Sequence, residues 1–333
     1  MNNEMLPSRL EQSSHIILSS VAITVALIYT RSILVPFILA VCAYIVLSSA
    51  INFVDRKIKL PGWLTMSLVV GFFLLCTFSL VYSIVASIEQ FVSEAYRYRE
   101  KVSLIVEQAA NYAGKLGFEV DAQALKLYLS EFPILELAKN ITGNVIGITG
   151  NVFLIAIIVL FMLMGRGKNQ VRSNLVGEIQ LNISRYLATK AVMSLATGAL
   201  FGTTLAFFRV DLTLMFAILA VLLNFIPSIG SIISVVLPVP VVLLQYGFGW
   251  ELVVIAGIGA LINFIIGNII EPKLMGESLD LHPVTIILFL LFWGLVWGPI
   301  GMFLAVPITA ILKIVLSRIP ATREVSELLA GRI

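Results

Sequence analysis

The chain has 333 residues, of which 59% are hydrophobic and 12% are charged, and its formal net charge is +3. A soluble domain carries about 25% charged and about 45–50% apolar residues, and it needs a polar exterior. The composition therefore excludes an ordinary soluble protein and predicts an all-α, polytopic membrane protein. The small net charge gives no indication of a nucleic-acid-binding surface.

Apolar segments follow one another along most of the chain, and each is a candidate membrane helix. A helix needs about 20 apolar residues to cross the hydrocarbon core, and several segments are shorter than that. The ten candidates cover residues 16–30, 32–53, 63–88, 143–165, 191–208, 212–226, 229–245, 251–270, 283–297 and 299–316. The first follows a polar stretch and runs almost directly into the second, so we expect an uncleaved first helix.

Residues 89–142 separate the third and fourth candidates and predict a helical insertion on the outer face of the membrane. Their apolar residues recur at alternating spacings of three and four, which is typical of one face of a helix. These residues are Val92, Ala95, Tyr98, Val102, Ile105, Ala109 and Tyr112. The apolar face requires a partner, which is either another part of this chain or a second subunit.

Residues 170–190 form a second amphipathic segment on the opposite side of the membrane. Apolar side chains share one helical face, and Arg172, Arg185 and Lys190 lie near it. This pattern is typical of a helix that rests on anionic lipid headgroups. A plain helical linker is the alternative.

The sequence around Pro227 predicts a helical hairpin. Proline lacks a backbone N–H and clashes with the preceding helical turn, and Gly230 permits a tight reversal. The flanking segments, 212–226 and 229–245, are short enough to be re-entrant half-helices. If the hairpin enters the membrane and returns, about eight full spans remain; if it crosses twice, there are ten.

Both span counts are even, so both termini lie on the same side of the membrane. Lysine and arginine are concentrated after the second segment, within 165–190 and in the tail. Cytoplasmic loops carry an excess of these residues, so we predict cytoplasmic termini. The predicted regions are N-terminal membrane helices (1–88), the outer insertion (89–142), a C-terminal transport region (143–317) and a cytoplasmic tail (318–333).

Polar residues in the C-terminal apolar segments are the candidate functional residues. An unpaired amide in hydrocarbon costs several kcal/mol, so Asn224, Asn263 and Asn268 must each bond to backbone, to another helix or to a solute. Glu271 immediately follows an apolar segment. It is either a boundary carboxylate paired with Lys273 or a site for a proton or cation.

Two short stretches of the C-terminal half resemble each other. Residues 223–226 read LNFI and residues 262–265 read INFI, and we expect a break in the helix after each, at Pro227 and at Gly267. Corresponding interrupted helices are typical of transporter binding sites. A match of four residues is common in apolar sequence, so coincidence is the alternative.

No arrangement of residues in the sequence indicates catalysis or metal binding. The two histidines and two cysteines lack metal-ligand spacing, and no glycine-rich phosphate loop is present. We therefore predict no enzyme activity, no cofactor and no metal site. An ATP-driven pump would need a separate ATPase subunit.

The C-terminal motifs resemble those of the autoinducer-2 exporter family, which includes the PerM-type permeases. The distinctive runs are residues 224–230 (NFIPSIG), 268–276 (NIIEPKLMG), 281–283 (LHP), 298–301 (GPIG) and 305–307 (AVP). The resemblance covers nearly the whole chain, although the outer insertion matches in position more than in sequence.

The resemblance implies a multi-pass transporter of the inner membrane with about eight spans. It also implies a homo-oligomer, with a pentamer favoured. The motif positions carried over to this chain are Asn224, Pro227, Gly230, Asn268, Glu271 and Pro272. Their roles in transport are hypotheses, as is that of Asn263.

Three functions stay open at this point. The first is export of a small polar molecule such as autoinducer-2, a quorum-sensing signal that amides and hydroxyls would bind. The second is sodium (or lithium)/proton antiport, in which Glu271 would bind and release the proton, although no aspartate lies mid-span. The third is a membrane scaffold that recruits partners through the insertion. The expected partners are membrane lipid and the transported solute or cation.

Overall fold

The chain is helical throughout the part that the structure describes. This computed structural model describes residues 9–58, 60–115, 150–165, 174–275 and 279–332. Within these ranges every regular element is a helix and no β-strand occurs. The predicted all-α class is therefore confirmed.

Twelve α-helices are numbered here in chain order over the described ranges. They are α1 (Arg9–Tyr29), α2 (Arg31–Lys57), α3 (Gly62–Lys115), α4 (Gly150–Met164), α5 (Asn174–Phe207), α6 (Thr213–Leu223), α7 (Ile229–Val236), α8 (Val239–Tyr246), α9 (Trp250–Phe264), α10 (Glu271–Met275), α11 (Pro283–Arg318) and α12 (Arg323–Leu329). A π-helical segment (Ile265–Ile270) joins α9 to α10, and a 3-10 turn (Pro320–Thr322) joins α11 to α12.

Six helical stretches of the described chain are long and apolar enough to cross a membrane. They are Arg31–Lys57, Gly62–Ser87, Leu175–Phe207, Ile229–Tyr246, Trp250–Met275 and Pro283–Arg318. Shorter apolar helices cover Ile17–Tyr29, Gly150–Met164 and Thr213–Leu223. The predicted polytopic membrane architecture is confirmed, and the choice between eight and ten spans stays a prediction.

The outer surface of these helices is rich in large apolar side chains. Along α3, for example, Phe72, Leu75 and Tyr82 are all more than two-thirds exposed. A soluble protein rarely presents such large contiguous apolar patches. In a membrane the hydrocarbon replaces water around them, so the same surface is stable.

The chain divides into two compact units. The first comprises Met1–Ile45, Leu154–Ile183 and Leu279–Ile333, and the second comprises Val46–Phe153 and Ser184–Ser278. The candidate site residues at 224–272 all belong to the second unit.

The core of the second unit lies between α5, α6, α8 and α9. Phe201 and Leu205 of α5 are fully buried, and they belong to one apolar cluster with Phe216, Val242 and Ile255. Glycines allow these helices to approach closely: a side chain on Gly198 or Gly202 of α5 would overlap α6. Small residues at helix crossings have this effect in membrane bundles.

The predicted hairpin at Pro227 is present. Helix α6 ends at Leu223 and α7 begins at Ile229, and the chain reverses between them with Ser228 in an unusual conformation (φ 61°, ψ −53°). A Cβ on Gly230 would overlap the carbonyl of Leu223, so only glycine permits this approach. Whether the hairpin is re-entrant stays a prediction.

The helix after this hairpin differs from the prediction. Gly267 does not break the helix, because α9 continues through the π-helical segment directly into α10. The ring of Pro272 would clash with the carbonyl four residues earlier in a regular α-helix. A wider turn before this proline relieves that clash without interrupting the chain, and the N–H of Glu271 bonds five residues back to the carbonyl of Ile266.

The described part of the amphipathic segment predicted at 170–190 and the span predicted at 191–208 share one helix in the structure. Helix α5 runs without interruption from Asn174 to Phe207. No proline or capping signal separates the two halves, so the hydrogen-bonded helix continues across the predicted boundary.

Helix α11 of the first unit is kinked where two segments were predicted. Gly298 has φ 68° and ψ −149°, a conformation that favours glycine, and Pro299 follows it. Trp297 donates a hydrogen bond of 3.0 Å to the carbonyl of Leu27 in α1. The segments predicted at 283–297 and 299–316 are therefore two helical stretches that meet at Gly298.

The tail of the first unit is an ordered element. Helix α12 packs on the end of α11 and buries Ser326 and Leu329. Asp280 accepts hydrogen bonds from Lys313 (2.6 Å) and from Arg332 (2.8 Å). These contacts fix the tail to the loop that precedes α11.

The insertion predicted at residues 89–142 is described only in its first part. Helix α3 continues to Lys115, so this part is helical as predicted. The apolar side chains of the predicted helical face and residues 116–149 lie outside the described part. The proposed partner of that face stays untested.

Candidate functional site

A cavity of about 510 Å³ lies within the second unit. Ligand pockets typically measure about 300–1,000 Å³, so the volume suits a small molecule. Its polar lining residues are Lys190, Ser228, Ser231, Asn263, Asn268 and Glu271, and the rest of the lining is apolar. A mostly apolar pocket with a few polar groups is typical of small-molecule sites.

Four structural elements bring these residues together. Helix α5 supplies Lys190, the Pro227 turn and α7 supply the two serines, and the helix from α9 through the π-helical segment to α10 supplies the amides and the carboxylate. Proline and glycine determine this arrangement, since Pro227 and Gly230 form the reversal. Gly267 lies on the cavity wall within the π-helical segment.

Lys190 and Glu271 form a buried ion pair at the cavity. The Nζ atom of Lys190 donates to Oε1 of Glu271 at 2.6 Å, and the two side chains are 4% and 14% exposed. Of the two alternatives for Glu271, the pairing with Lys273 is wrong. Residues two apart on a helix do not face each other, and Lys273 lies exposed while Glu271 turns toward α5.

The sequence places Lys190 near the apolar face of a helix predicted to rest on lipid headgroups, whereas in the structure Lys190 is buried. The spacing of its neighbours in the sequence indicates this burial. The positions three and four residues from Lys190 are all buried, and they are Tyr186, Leu187, Met193 and Ser194. Residues at those spacings share a helix face. A lysine among them belongs to the interior and therefore requires a partner.

The side-chain amide of Asn263 donates a hydrogen bond through its nitrogen, whereas its oxygen is an unused acceptor. Its Nδ2 donates to the carbonyl of Gly259 at 3.0 Å, which places the oxygen on the other side of the amide. A second, longer contact of 3.5 Å joins Nδ2 to Ser234. The Oδ1 atom is buried and accepts no hydrogen bond from any residue that the structure describes.

Asn224 lies behind the cavity wall. It is 3% exposed and donates to the hydroxyls of Ser194 (3.3 Å) and Thr197 (3.5 Å) of α5. Its Oδ1 accepts from Ser231 of α7 at 3.5 Å. Since Ser231 lines the cavity, Asn224 contacts the site through this serine.

The predicted residues therefore separate into two groups. Pro227, Asn263, Asn268 and Glu271 line the same cavity. The other three do not line it: Asn224 and Gly230 are buried in the hairpin packing, and Pro272 is exposed after Glu271. The structure adds three lining residues that are not among the predicted site residues: Lys190, Ser228 and Ser231.

No cluster of histidine, cysteine, aspartate or glutamate suited to a metal ion occurs among the residues that are described. The cavity instead presents amides, hydroxyls and one internally paired set of charges. Such groups bind a small polar molecule by hydrogen bonding, and they also permit ion exchange at the carboxylate.

Comparisons with known proteins agree on one family. A family model described as AI-2E family transporter matches residues 17–321. The chain is 28% identical over 313 residues to the AI-2 transport protein TqsA of Escherichia coli, covering 91% of this chain and 90% of that one. It is 33% identical over 314 residues to a provisionally named transport protein of Haemophilus influenzae, with 89% and 90% covered. YhhT of Escherichia coli, also provisionally named a transport protein, is 29% identical over 310 residues, with 89% and 88% covered.

Proposed function

Because the chain belongs to the AI-2E family of transporters, we propose that it exports autoinducer-2 or a similar small, uncharged polar solute across the bacterial inner membrane. The solute occupies the cavity between the Pro227 turn and Glu271. Asn263, Asn268 and the two serines bind it by hydrogen bonds. This protein is not an enzyme in the proposed mechanism, since the solute is carried without a covalent change.

The charge balance of the cavity is the observation that supports an uncharged solute. Lys190 and Glu271 are paired at 2.6 Å, and the other described lining residues are neutral. A fixed net charge would favour a counter-ion in this low-dielectric setting. Because the two charges balance, hydrogen bonding to amides and hydroxyls is the available means of recognition.

Transport by the purified protein in liposomes tests the proposal. We expect uptake of labelled autoinducer-2 into vesicles, reduced about two- to tenfold in Asn268→Ala, since a hydrogen bond contributes about 0.5–1.5 kcal/mol. Asn151→Ala is a matched control, because Asn151 is exposed on α4 and outside the cavity. Uptake that is the same in Asn268→Ala and Asn151→Ala contradicts the assignment of this cavity.

The buried ion pair favours one alternative, cation/proton antiport. A sodium or lithium ion could compete with Lys190 for the carboxylate of Glu271, and ionisable groups at membrane depth frequently belong to ion pathways. Vesicles with an internal pH-sensitive dye separate the two functions. A fluorescence change on sodium addition that is lost in Glu271→Gln supports antiport, and its absence from pH 6.5 to 9 opposes it.

A further inference from the structure

We infer that the Lys190–Glu271 ion pair determines the charge selectivity of the cavity. The intact pair makes the lining neutral and so selects uncharged solutes. Either partner alone would make the cavity select solutes of the opposite charge. The inference rests on the proposed function, because it assigns a specificity role within the same transport site.

The charges of the lining residues are the first observation that supports the selectivity role. Among the described residues that line this cavity, only Lys190 and Glu271 are charged, and they contribute opposite charges. The contact of 2.6 Å joins the charges directly. The remaining polar groups of this wall are hydroxyls and amides, so the sign of its net charge depends on these two residues.

The burial of the Lys190–Glu271 pair is the second observation that supports the selectivity role. Lys190 is 4% exposed and Glu271 is 14% exposed. Transfer of two charges from water into a buried site is costly, and apolar residues of similar volume often hold helices together as well or better. Stability alone therefore does not explain why this helix contact contains charges. A role in the cavity does explain the charges, because an ionisable group inside a membrane costs free energy and such groups are usually functional.

The position of the pair on the cavity wall is the third observation that supports the selectivity role. Both residues line the cavity, so a solute in the cavity lies next to whichever charge is left unpaired. An unpaired charge in a site of low dielectric interacts with a bound ion far more strongly than it would in water. Removing one partner should therefore change which solutes bind, in addition to any effect on folding.

A purely structural role is the competing explanation. In that case the pair joins α5 to α10, and loss of either partner weakens the protein without changing the order of solute preference. The two explanations differ in the sign of the selectivity change. Only the selectivity role predicts opposite changes for the two single substitutions.

The experiment compares three small probes in wild type, Lys190→Gln and Glu271→Gln. The probes are borate-free autoinducer-2 (uncharged), glycerate (an anion) and 2-amino-1,3-propanediol (a cation). Binding is measured as thermal protection of detergent-purified protein, and transport as uptake into liposomes. In Lys190→Gln we expect the ratio of cation binding to autoinducer-2 binding to rise about tenfold relative to wild type. In Glu271→Gln we expect the ratio of anion binding to autoinducer-2 binding to rise by a similar factor.

Two further variants keep the lining neutral, and a preference of either for a charged probe would contradict the inference. The double variant Lys190→Gln/Glu271→Gln should favour neither charged probe. The exchanged variant Lys190→Glu/Glu271→Lys restores the pair and should bind the uncharged probe in preference to both ions.

The control substitution is Asp280→Asn in the first unit. It breaks the ion pairs that Asp280 forms with Lys313 (2.6 Å) and with Arg332 (2.8 Å). None of these three residues lines the cavity. Probe preference should therefore be unchanged, which separates the loss of ion pairs elsewhere from the loss of the Lys190–Glu271 pair.

The outcomes separate this inference from the proposed function. If wild type transports none of the probes but the single variants show opposite charge preferences in thermal protection, the transport proposal fails and the selectivity role stands. If wild type transports autoinducer-2 and all variants keep the same order of preference, the selectivity role is wrong. The same shift in both single variants would also overturn it.

Discussion

At the scale of single residues, the three asparagines have different surroundings and so different expected roles. Asn268 lies at the exposed edge of the cavity, and Asn263 lies in its wall with an unused acceptor. Asn224 bonds to side chains of α5 and α7. Buried amides between membrane helices commonly have this joining role, and we propose that Asn224 positions the hairpin without touching the solute.

This assignment predicts that Asn224→Ala lowers stability more than it lowers solute affinity. The loss of its buried hydrogen bonds should cost about 1–3 kcal/mol, observed as a lower unfolding temperature in detergent. The folded fraction should still bind autoinducer-2. Unchanged stability combined with lost binding would instead identify Asn224 as a solute contact.

At the scale of elements, the π-helical segment is the feature that determines where Glu271 lies. Such segments frequently occur at functional sites. Removing the extra residue of a π turn would rotate the following helix by about 100°, the rotation of one residue in an α-helix. Glu271 is the first residue of α10, so that rotation would separate it from Lys190.

Gly267 allows this element to be tested without disturbing the packing. A Cβ at Gly267 would meet no atom within 4 Å, and alanine stabilises a helix by about 0.5–1 kcal/mol relative to glycine. If the segment changes conformation during transport, Gly267→Ala should keep or raise the unfolding temperature and lower the maximal uptake rate. Because Gly267 lines the cavity, the solute concentration at half-maximal rate is measured as well, and an unchanged value separates lost motion from a methyl group that obstructs the solute.

The matched control is Gly257→Ala in α9. A Cβ there also meets nothing within 4 Å, and the position lies in regular α-helix before the π-helical segment. We expect the same stability effect and an unchanged rate. Equal rates for the two variants would indicate that the segment is rigid during transport.

At the scale of the whole molecule, we predict the orientation in the membrane from the distribution of charge. The loop after α2, the region before α5 and the tail are all rich in lysine and arginine, and such segments remain cytoplasmic. We predict that a fluorescent protein fused after Ile333 is fluorescent and that alkaline phosphatase at the same position is inactive. Phosphatase inserted after Asp121 should be active.

The opposite reporter pattern would contradict the predicted orientation. Activity at Ile333 together with activity at Asp121 would instead indicate an even number of spans between them. The predicted homo-oligomer, favoured as a pentamer, and the scaffold role of the insertion stay predictions at this scale.

The sequence by itself determined the membrane class, the helical class and the reversal at Pro227. These follow from local causes: apolar length sets a membrane helix, and proline and glycine act on their own turn of backbone. The same local reading also identified Asn263, Asn268 and Glu271 as unusual, because a polar group in an apolar segment requires a partner wherever it lies.

Only the tertiary structure decided which partner each polar group has. Lys190 and Glu271 are separated by 81 positions in the chain, and no local rule relates residues so far apart. Their pairing depends on how α5 packs beside the helix that contains the π-helical segment. An ion pair is an interaction through space, and its 2.6 Å distance is a property of the folded helices together.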